Sequence, residues 1–209
     1  MAYTVKEVFL TLQGEGVHSG RRAVFVRFTG CNLWSGHERH RAQAICRFCD
    51  TDFVGTDGPG GGTFERADAL VEQILSVWGD CAQAPFAVFT GGEPLLQLDE
   101  ALIECAHDHG VEVAVETNGT LQAPKGVDWL CVSPKAGAEL VQVSGDELKL
   151  VWPQELSPEP FLELEFKHWL LQPKDGPAYA KHLEQTIRYC LEHPPWKLSL
   201  QQHKICGLP

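Results

Sequence analysis

Gly30 to Asp52 reads GCNLWSGHERHRAQAICRFCDTD. It carries Cys31, Cys46 and Cys49 in a C-x14-C-x2-C spacing, with Phe48 just before the last cysteine. Thiolates are soft donors suited to iron, and three of them around a four-iron cube leave one iron without a protein ligand. That iron is open to a further ligand. Cys46 and Cys49 can meet one small inorganic body, whereas Cys31 has to be folded back over fourteen residues. Ser35 with Glu38 three places on is a capping-box start, and Ala42 to Ile45 tolerates helix, so a short helix is expected to close the loop. The stretch alone also permits a zinc site, with His37 or His40 completing a Cys₃His set.

Outward from this loop the chain alternates. Val5 to Leu12 is an extended apolar run that leads into the glycine-rich QGEG, and Ala23 to Thr29 (AVFVRFT) reads as a buried strand ending at Gly30. Gly55 to Gly62 reads as a surface connection, and Glu65 to Trp78 has apolar residues at helical spacing. Strands are expected at Phe86 to Phe89, Val111 to Val115, Trp129 to Val132, Leu148 to Val151, Trp169 to Leu171 and Leu198 to Leu200, with helices at Pro94 to His109 and Ala178 to Glu192. Such alternation predicts a parallel sheet. Polar groups follow the strands directly: Thr90-Gly91-Gly92-Glu93, Glu116-Thr117-Asn118, Ser133-Pro134-Lys135, Gln172-Pro173-Lys174 and Gln201-Gln202-His203. In a parallel β/α sheet those positions line the ligand-binding face. The 209 residues fall short of the ~250 of a full eight-stranded barrel. The expectation is therefore an α/β chain, one domain over 1–209, folded as a partial, open (β/α) barrel with a cluster-binding loop at 31–49.

Composition narrows the function classes. With 44% hydrophobic and 22% charged residues, the chain can bury a sizeable core and does not have a disordered composition. A formal charge of −11 lacks the clustered Lys and Arg that a phosphate backbone needs, so no nucleic-acid partner is expected. No apolar run approaches the ~18 residues of a membrane span, and MAYTVKEVF has no signal-peptide core, so the expectation is no membrane partner and a cytoplasmic location. The eight cysteines read as reduced thiols. Cys81, Cys105, Cys131 and Cys190, beside apolar segments, read as small buried hydrophobes, and Cys206 is assigned no function.

Several motifs carry a family resemblance. CRFC fits the ending of the radical S-adenosylmethionine cluster motif, although that motif usually has three residues where this chain has fourteen. The long spacing resembles a variant found in some 7-carboxy-7-deazaguanine synthases (QueE). TLQGEG (Thr11 to Gly16), CDTDF (Cys49 to Phe53), TGGEP (Thr90 to Pro94), ETNG (Glu116 to Gly119), SPK (Ser133 to Lys135), QPKD (Gln172 to Asp175) and the terminal QxHK all resemble that family, over nearly the whole chain. The resemblance implies a 4Fe-4S cluster on Cys31, Cys46 and Cys49, with S-adenosyl-L-methionine chelated on the open iron. It implies that an adenosyl radical takes a hydrogen from 6-carboxy-5,6,7,8-tetrahydropterin, whose ring then contracts with loss of ammonia to give 7-carboxy-7-deazaguanine, the S-adenosylmethionine being regenerated. It further implies a homodimer and an electron donor such as a flavodoxin.

Site residues follow from the same resemblance. S-adenosylmethionine would be bordered by Phe48, Cys49, Asp50, Gly92, Ser133, Pro134, Lys135 and Gln172, Pro173, Lys174, Asp175, with Glu116 holding a ribose hydroxyl. Thr51 matches the position associated with Mg²⁺, which takes few protein ligands and favours hard oxygen. The pterin substrate would meet Leu12, Gln13, Gly14, Arg27, Thr90 and Pro209, with Glu15 nearby, and His203 and Lys204 are further candidates. Read without the resemblance, QGEG is equally a tight turn, and GGEP is a strand-to-helix turn with proline in the first helical turn. Arg27, a lone cation in a core strand, must be paired or turned to a ligand, and a salt bridge explains it as well as a substrate carboxylate. A cluster enzyme that activates a partner protein is another class, against which TLQGEG and the other pterin-side matches speak.

Overall fold

The computed structural model describes residues 2–209. In chain order the strands are β1 (Tyr3–Leu12), β2 (Arg22–Phe28), β3 (Gly62–Phe64), β4 (Phe86–Gly91), β5 (Glu112–Thr117), β6 (Trp129–Val132), β7 (Ser144–Trp152), β8 (Glu165–Pro173) and β9 (Trp196–Leu198). The α-helices are α1 (Ala67–Trp78), α2 (Glu100–Asp108), α3 (Tyr179–Glu192) and α4 (Gln202–Cys206). All nine strands join one sheet in the order β3-β1-β2-β4-β5-β6-β7-β8-β9. β1 runs antiparallel to both its neighbours, and every other ladder is parallel. β3 and β9 form the two edges, so the sheet is open and not a closed barrel. Between β5 and β8 the connections contain no α-helix, only a 3-10 turn at Glu159–Glu163, which is how the fold fits a short chain.

The two-residue period of the strands divides the sheet into two unlike faces. Val24, Val26 and Phe28 of β2, Ala87 and Phe89 of β4, and Val113 and Val115 of β5 join Leu70 and Ile74 of α1 and Leu102 and Ile103 of α2 in the main core. The alternate residues point the other way. Ala23, Phe86, Val88 and Ala114 make a smaller apolar cluster with Phe25 and Trp129. Further along the same strands that face turns polar, with Arg27, Thr90 and Glu116 lining a cavity at the carboxyl ends of the parallel strands.

Four local expectations are corrected. The single helix over Pro94 to His109 is a 3-10 turn, Pro94–Leu96, followed by α2. The break falls at Gln97, whose side chain bonds the Thr4 backbone N–H (2.7 Å) and the Thr29 carbonyl (2.8 Å), and Asp99 then caps α2 by accepting from Leu102 N (3.0 Å). The capping box at Ser35 and Glu38 does not form. Ser35 pairs with the His40 ring (2.8 Å) and Glu38 turns to Arg41 (2.8 Å), leaving a 3-10 turn at Glu38–Gln43. The last strand is Trp196–Leu198, two residues earlier than expected, and its end runs into α4, which the sequence reading did not mark. Gly62, read as the end of a surface connection, opens β3.

Asp99 also accepts the Tyr3 hydroxyl (2.8 Å) from β1. Asp99→Ala removes a helix cap and leaves a buried hydroxyl unpaired, a loss of about 2–3 kcal/mol. Thermal unfolding is expected to drop by roughly 5–10 °C. A shift under about 1 °C would contradict the role given to this carboxylate.

Candidate active site

The fourteen-residue loop is closed by its own backbone. The Leu33 carbonyl accepts from both Ile45 N (3.1 Å) and Cys46 N (3.3 Å), which returns the chain beside Cys31. Cys31 Sγ accepts from Leu33 N (3.4 Å). Leu33, Trp34 and Phe53 are buried, and the Trp34 and Phe53 rings meet edge to face with centroids 5.6 Å apart, so the loop has a small core of its own. Arg41 lies over Trp34 (4.1 Å to the ring centroid) and donates to the carbonyls of Arg47 and Cys49, both at 3.0 Å. A β-bulge between Val5 and Glu7 accompanies the burial of Lys6, whose ammonium bonds the Val54 carbonyl (2.9 Å), Asp52 (3.0 Å) and Asp57 (2.7 Å). That ties the chain just after the cysteines to the sheet. Cys46 lies beside Cys49, and the pairing of the two thiols holds Cys49 at about 6 while Cys46 is pushed up.

Cys31, Cys46 and Cys49 all line one cavity of about 370 Å³, within the roughly 300–1,000 Å³ of small-molecule sites. Phe48, Asp50 and Thr51 line it beside them. The β1 turn contributes Leu12, Gln13, Gly14 and Glu15, and the sheet contributes Arg27, Thr90, Gly92, Glu116, Ser133 and Lys135. The stretch Gln172 to Asp175 and the terminal Pro209 complete the predicted set. Pro134 alone among the predicted residues does not line the cavity. It is buried behind the wall, its carbonyl accepting from Gln154 Nε2 (3.2 Å).

A chain of ion pairs crosses the polar wall. Lys149, 3% exposed, reaches Glu15 (2.5 Å) and Glu116 (3.3 Å), and Glu116 also accepts from Gln13 Nε2 (2.8 Å). Burial raises the Glu15 carboxyl, but the Lys149 ammonium more than offsets this and holds it at about 2. Arg27 gives its Nε to Glu7 (2.7 Å), so the salt-bridge reading of Arg27 is correct and its terminal nitrogens still belong to a residue that lines the cavity. Burial pushes the Lys135 ammonium down, and it donates to the Ser133 carbonyl (2.5 Å) and hydroxyl (2.7 Å).

GGEP is a packing device as well as a wall. A Cβ at Gly92 would sit 2.0 Å from the Gly30 carbonyl oxygen, and Glu93 N donates to that same oxygen (2.9 Å), so glycine lets the end of β4 press against the start of the cysteine loop. Glu93 is fully buried and accepts from Leu95 N (3.0 Å), Thr117 Oγ1 (2.7 Å) and Asn118 N (2.8 Å), joining the ends of β4 and β5.

No family model matches the chain. It is 60% identical to the 7-carboxy-7-deazaguanine synthase of Bordetella pertussis and 57% identical to that of Caulobacter vibrioides, in each case over 100% of both chains. The chain belongs to the 7-carboxy-7-deazaguanine synthase family. A crystal structure of QueE from Escherichia coli superposes with a TM-score of 0.72 at 25% identity, covering 97% of this chain and 95% of that one.

Membership in the 7-carboxy-7-deazaguanine synthase family gives the three cysteines a test. Among the described residues, no three His, Cys, Asp or Glu side chains are gathered as a single metal ion needs. A four-iron cube makes a different demand, because each cysteine ligates a separate iron and the sulfurs need only face one space. The cavity provides that space. The zinc alternative fares worse. His37 and His40 are absent from the lining, and both ring nitrogens of His40 are engaged, one with Ser35 and one with Arg39 (3.3 Å).

Sequence reasoning missed Lys149, Glu7 and Arg41. Lys149 lies within the apolar run read as a strand, and an unexplained cation in a buried strand, the signal that marked Arg27, would have found it. Of the four cysteines read as buried hydrophobes, Cys131 is 2% exposed, and Cys81, Cys105 and Cys190 are partly buried against the core. Because folding lowers Glu15 from its ordinary 4.5 to about 2, its stabilising share is whole above pH 4.5 and is lost as pH falls toward 2. Urea unfolding of Glu15→Gln is expected to show a shallower loss of stability than wild type across that window. Parallel curves would contradict the ion pair.

Proposed function

We propose that the protein converts 6-carboxy-5,6,7,8-tetrahydropterin to 7-carboxy-7-deazaguanine and ammonia, as a radical S-adenosylmethionine carbon–nitrogen lyase with a 4Fe-4S cluster and Mg²⁺. The observation that carries the reading is the meeting of Cys31, Cys46 and Cys49 with the Gln13–Glu15 turn and Arg27 around one cavity, in a chain of this family. Substrate and products have the same atomic composition, so the reaction consumes no oxidant. When bound, the cluster and S-adenosylmethionine supply the one-electron chemistry that starts the rearrangement.

The chain's own residues bind and orient. Arg27, braced through Nε by Glu7, offers its terminal nitrogens to the substrate carboxylate. Glu15, kept ionised by Lys149, accepts N–H groups of the pterin, and Leu12, Gln13, Gly14, Thr90 and Pro209 enclose the ring. Thr51 presents a hydroxyl to Mg²⁺. S-adenosylmethionine lies against Phe48, Asp50, Gly92, Ser133, Lys135 and Gln172 to Asp175, with Pro134 stiffening the wall from behind and Glu116 accepting from a ribose hydroxyl. Phe9 and Phe25, stacked with centroids 5.7 Å apart, form the apolar part of the wall that excludes water.

Among the described residues no helix is long and apolar enough to cross a membrane, and all eight cysteines are free. Both fit a cytoplasmic enzyme with a reducible cluster, working as a homodimer with an electron donor such as a flavodoxin. Anaerobic turnover with 6-carboxytetrahydropterin, S-adenosylmethionine, Mg²⁺ and a reductant is expected to release ammonia and 7-carboxy-7-deazaguanine in equal amounts. Arg27→Ala should raise KM about 10–100-fold with a smaller change in kcat, the loss of a charge-assisted bidentate contact. Product from a Cys49→Ala variant at the wild-type rate would overturn the cluster assignment, and an unchanged KM in Arg27→Ala would return that residue to its salt bridge alone.

A further inference from the structure

The segment after β9 is held to the cavity by polar bonds. No residue of α4 is buried, and Ile205 is 68% exposed, so apolar packing does not hold it. Gln202 N donates to the Gly14 carbonyl (2.9 Å), and Gln201 Nε2 donates to Glu15 (2.9 Å). His203 packs where Gly14 has no side chain, since a Cβ there would be 2.2 Å from the ring Nδ1. Thr11 Oγ1 donates to the Pro209 carbonyl oxygen (3.4 Å). These contacts join the strap to the end of β1 and its turn, and Gln201 Nε2 also reaches Asp50 at a longer 3.4 Å. Lys204 goes elsewhere. Its ammonium bonds Asp50 and Asp175, each at 2.5 Å, and these two carboxylates belong to the segment after Cys49 and to the end of QPKD.

We infer that Lys204 is a positioning residue that couples the two halves of the site, tying a strap on the substrate side to two segments on the cofactor side. The inference rests on the functional reading above. A single ammonium is the cation shared by two carboxylates from separate loops. Without it, two like charges face each other, and on the cofactor side the strap keeps only the Ser199–Gln172 bond at its root (3.1 Å) and the long Gln201–Asp50 contact (3.4 Å). S-adenosylmethionine seated against the 50 and 175 segments then holds the two carboxylates that grip Lys204, and through it the strap. The pterin is bound more tightly as a result. By linkage the pterin tightens S-adenosylmethionine by the same factor.

The test uses anaerobic, cluster-loaded protein and 6-carboxypterin, an aromatic analogue that does not react. S-adenosylmethionine is expected to lower the Kd of wild type for 6-carboxypterin about tenfold, within the usual range of coupling. Lys204→Met should bind both ligands singly yet lose this enhancement, and Lys204→Arg should keep most of it. Hydrogen exchange gives a readout without pterin: S-adenosylmethionine should slow exchange of the Gln202 amide in wild type and in Lys204→Arg, but not in Lys204→Met. Full enhancement and slowed exchange in Lys204→Met, or no enhancement in wild type that does bind 6-carboxypterin, would overturn the clasp. Wild type that slows exchange but never binds 6-carboxypterin would instead overturn the pterin reading and leave the clasp standing.

Discussion

One backbone oxygen decides where the cysteines go. The Leu33 carbonyl takes the N–H groups of Ile45 and Cys46, turning a fourteen-residue excursion into a closed loop whose two ends stand side by side. An open loop of that length would have to be ordered at each binding event, at an entropic cost for every residue fixed. Here the ordering is done during folding, by the Leu33–Trp34–Phe53 packing, the Arg41 bonds to two carbonyls and the Lys6 anchor behind Asp52. Cys31, Cys46 and Cys49 therefore line the cavity before any ligand arrives.

The sheet presents that loop with a matching wall. Alternate residues of β2, β4 and β5 enter the helix-covered core, and the others pass from apolar at the strand starts to polar at the ends. The glycines at the end of β4 let backbone press on backbone, so the loop is seated on the mouth of the sheet instead of standing off from it. The Glu15–Lys149–Glu116 chain gives the buried Lys149 ammonium two carboxylate partners, which matters because a lone buried ion is costly.

Much of this was legible in the sequence because the signals were local. Five apolar runs followed directly by polar motifs predicted a parallel sheet with its site at the strand ends, and 23 residues around the cysteines predicted the loop. What escaped depended on partners far along the chain. The break between Leu96 and α2 is made by Gln97 bonding to Thr4 and Thr29, and the failed capping box by Arg41 drawing Glu38 away. Lys149 stands out as a cation in a buried strand, but its two carboxylate partners, 134 and 33 residues away, do not. α4 is short and exposed, and its contacts with the β1 turn and with Asp50 and Asp175 are all distant in sequence.

The proposed reaction requires a cube held by three cysteines with one iron left for an outside ligand. Mössbauer spectroscopy of protein reconstituted anaerobically with ⁵⁷Fe, before and after addition of S-adenosylmethionine, examines that arrangement directly. Four irons per chain are expected, with the signal of one in four changing when S-adenosylmethionine is added. Protein that takes up no four-iron cluster, or a cluster whose four irons are all indifferent to S-adenosylmethionine, would contradict it.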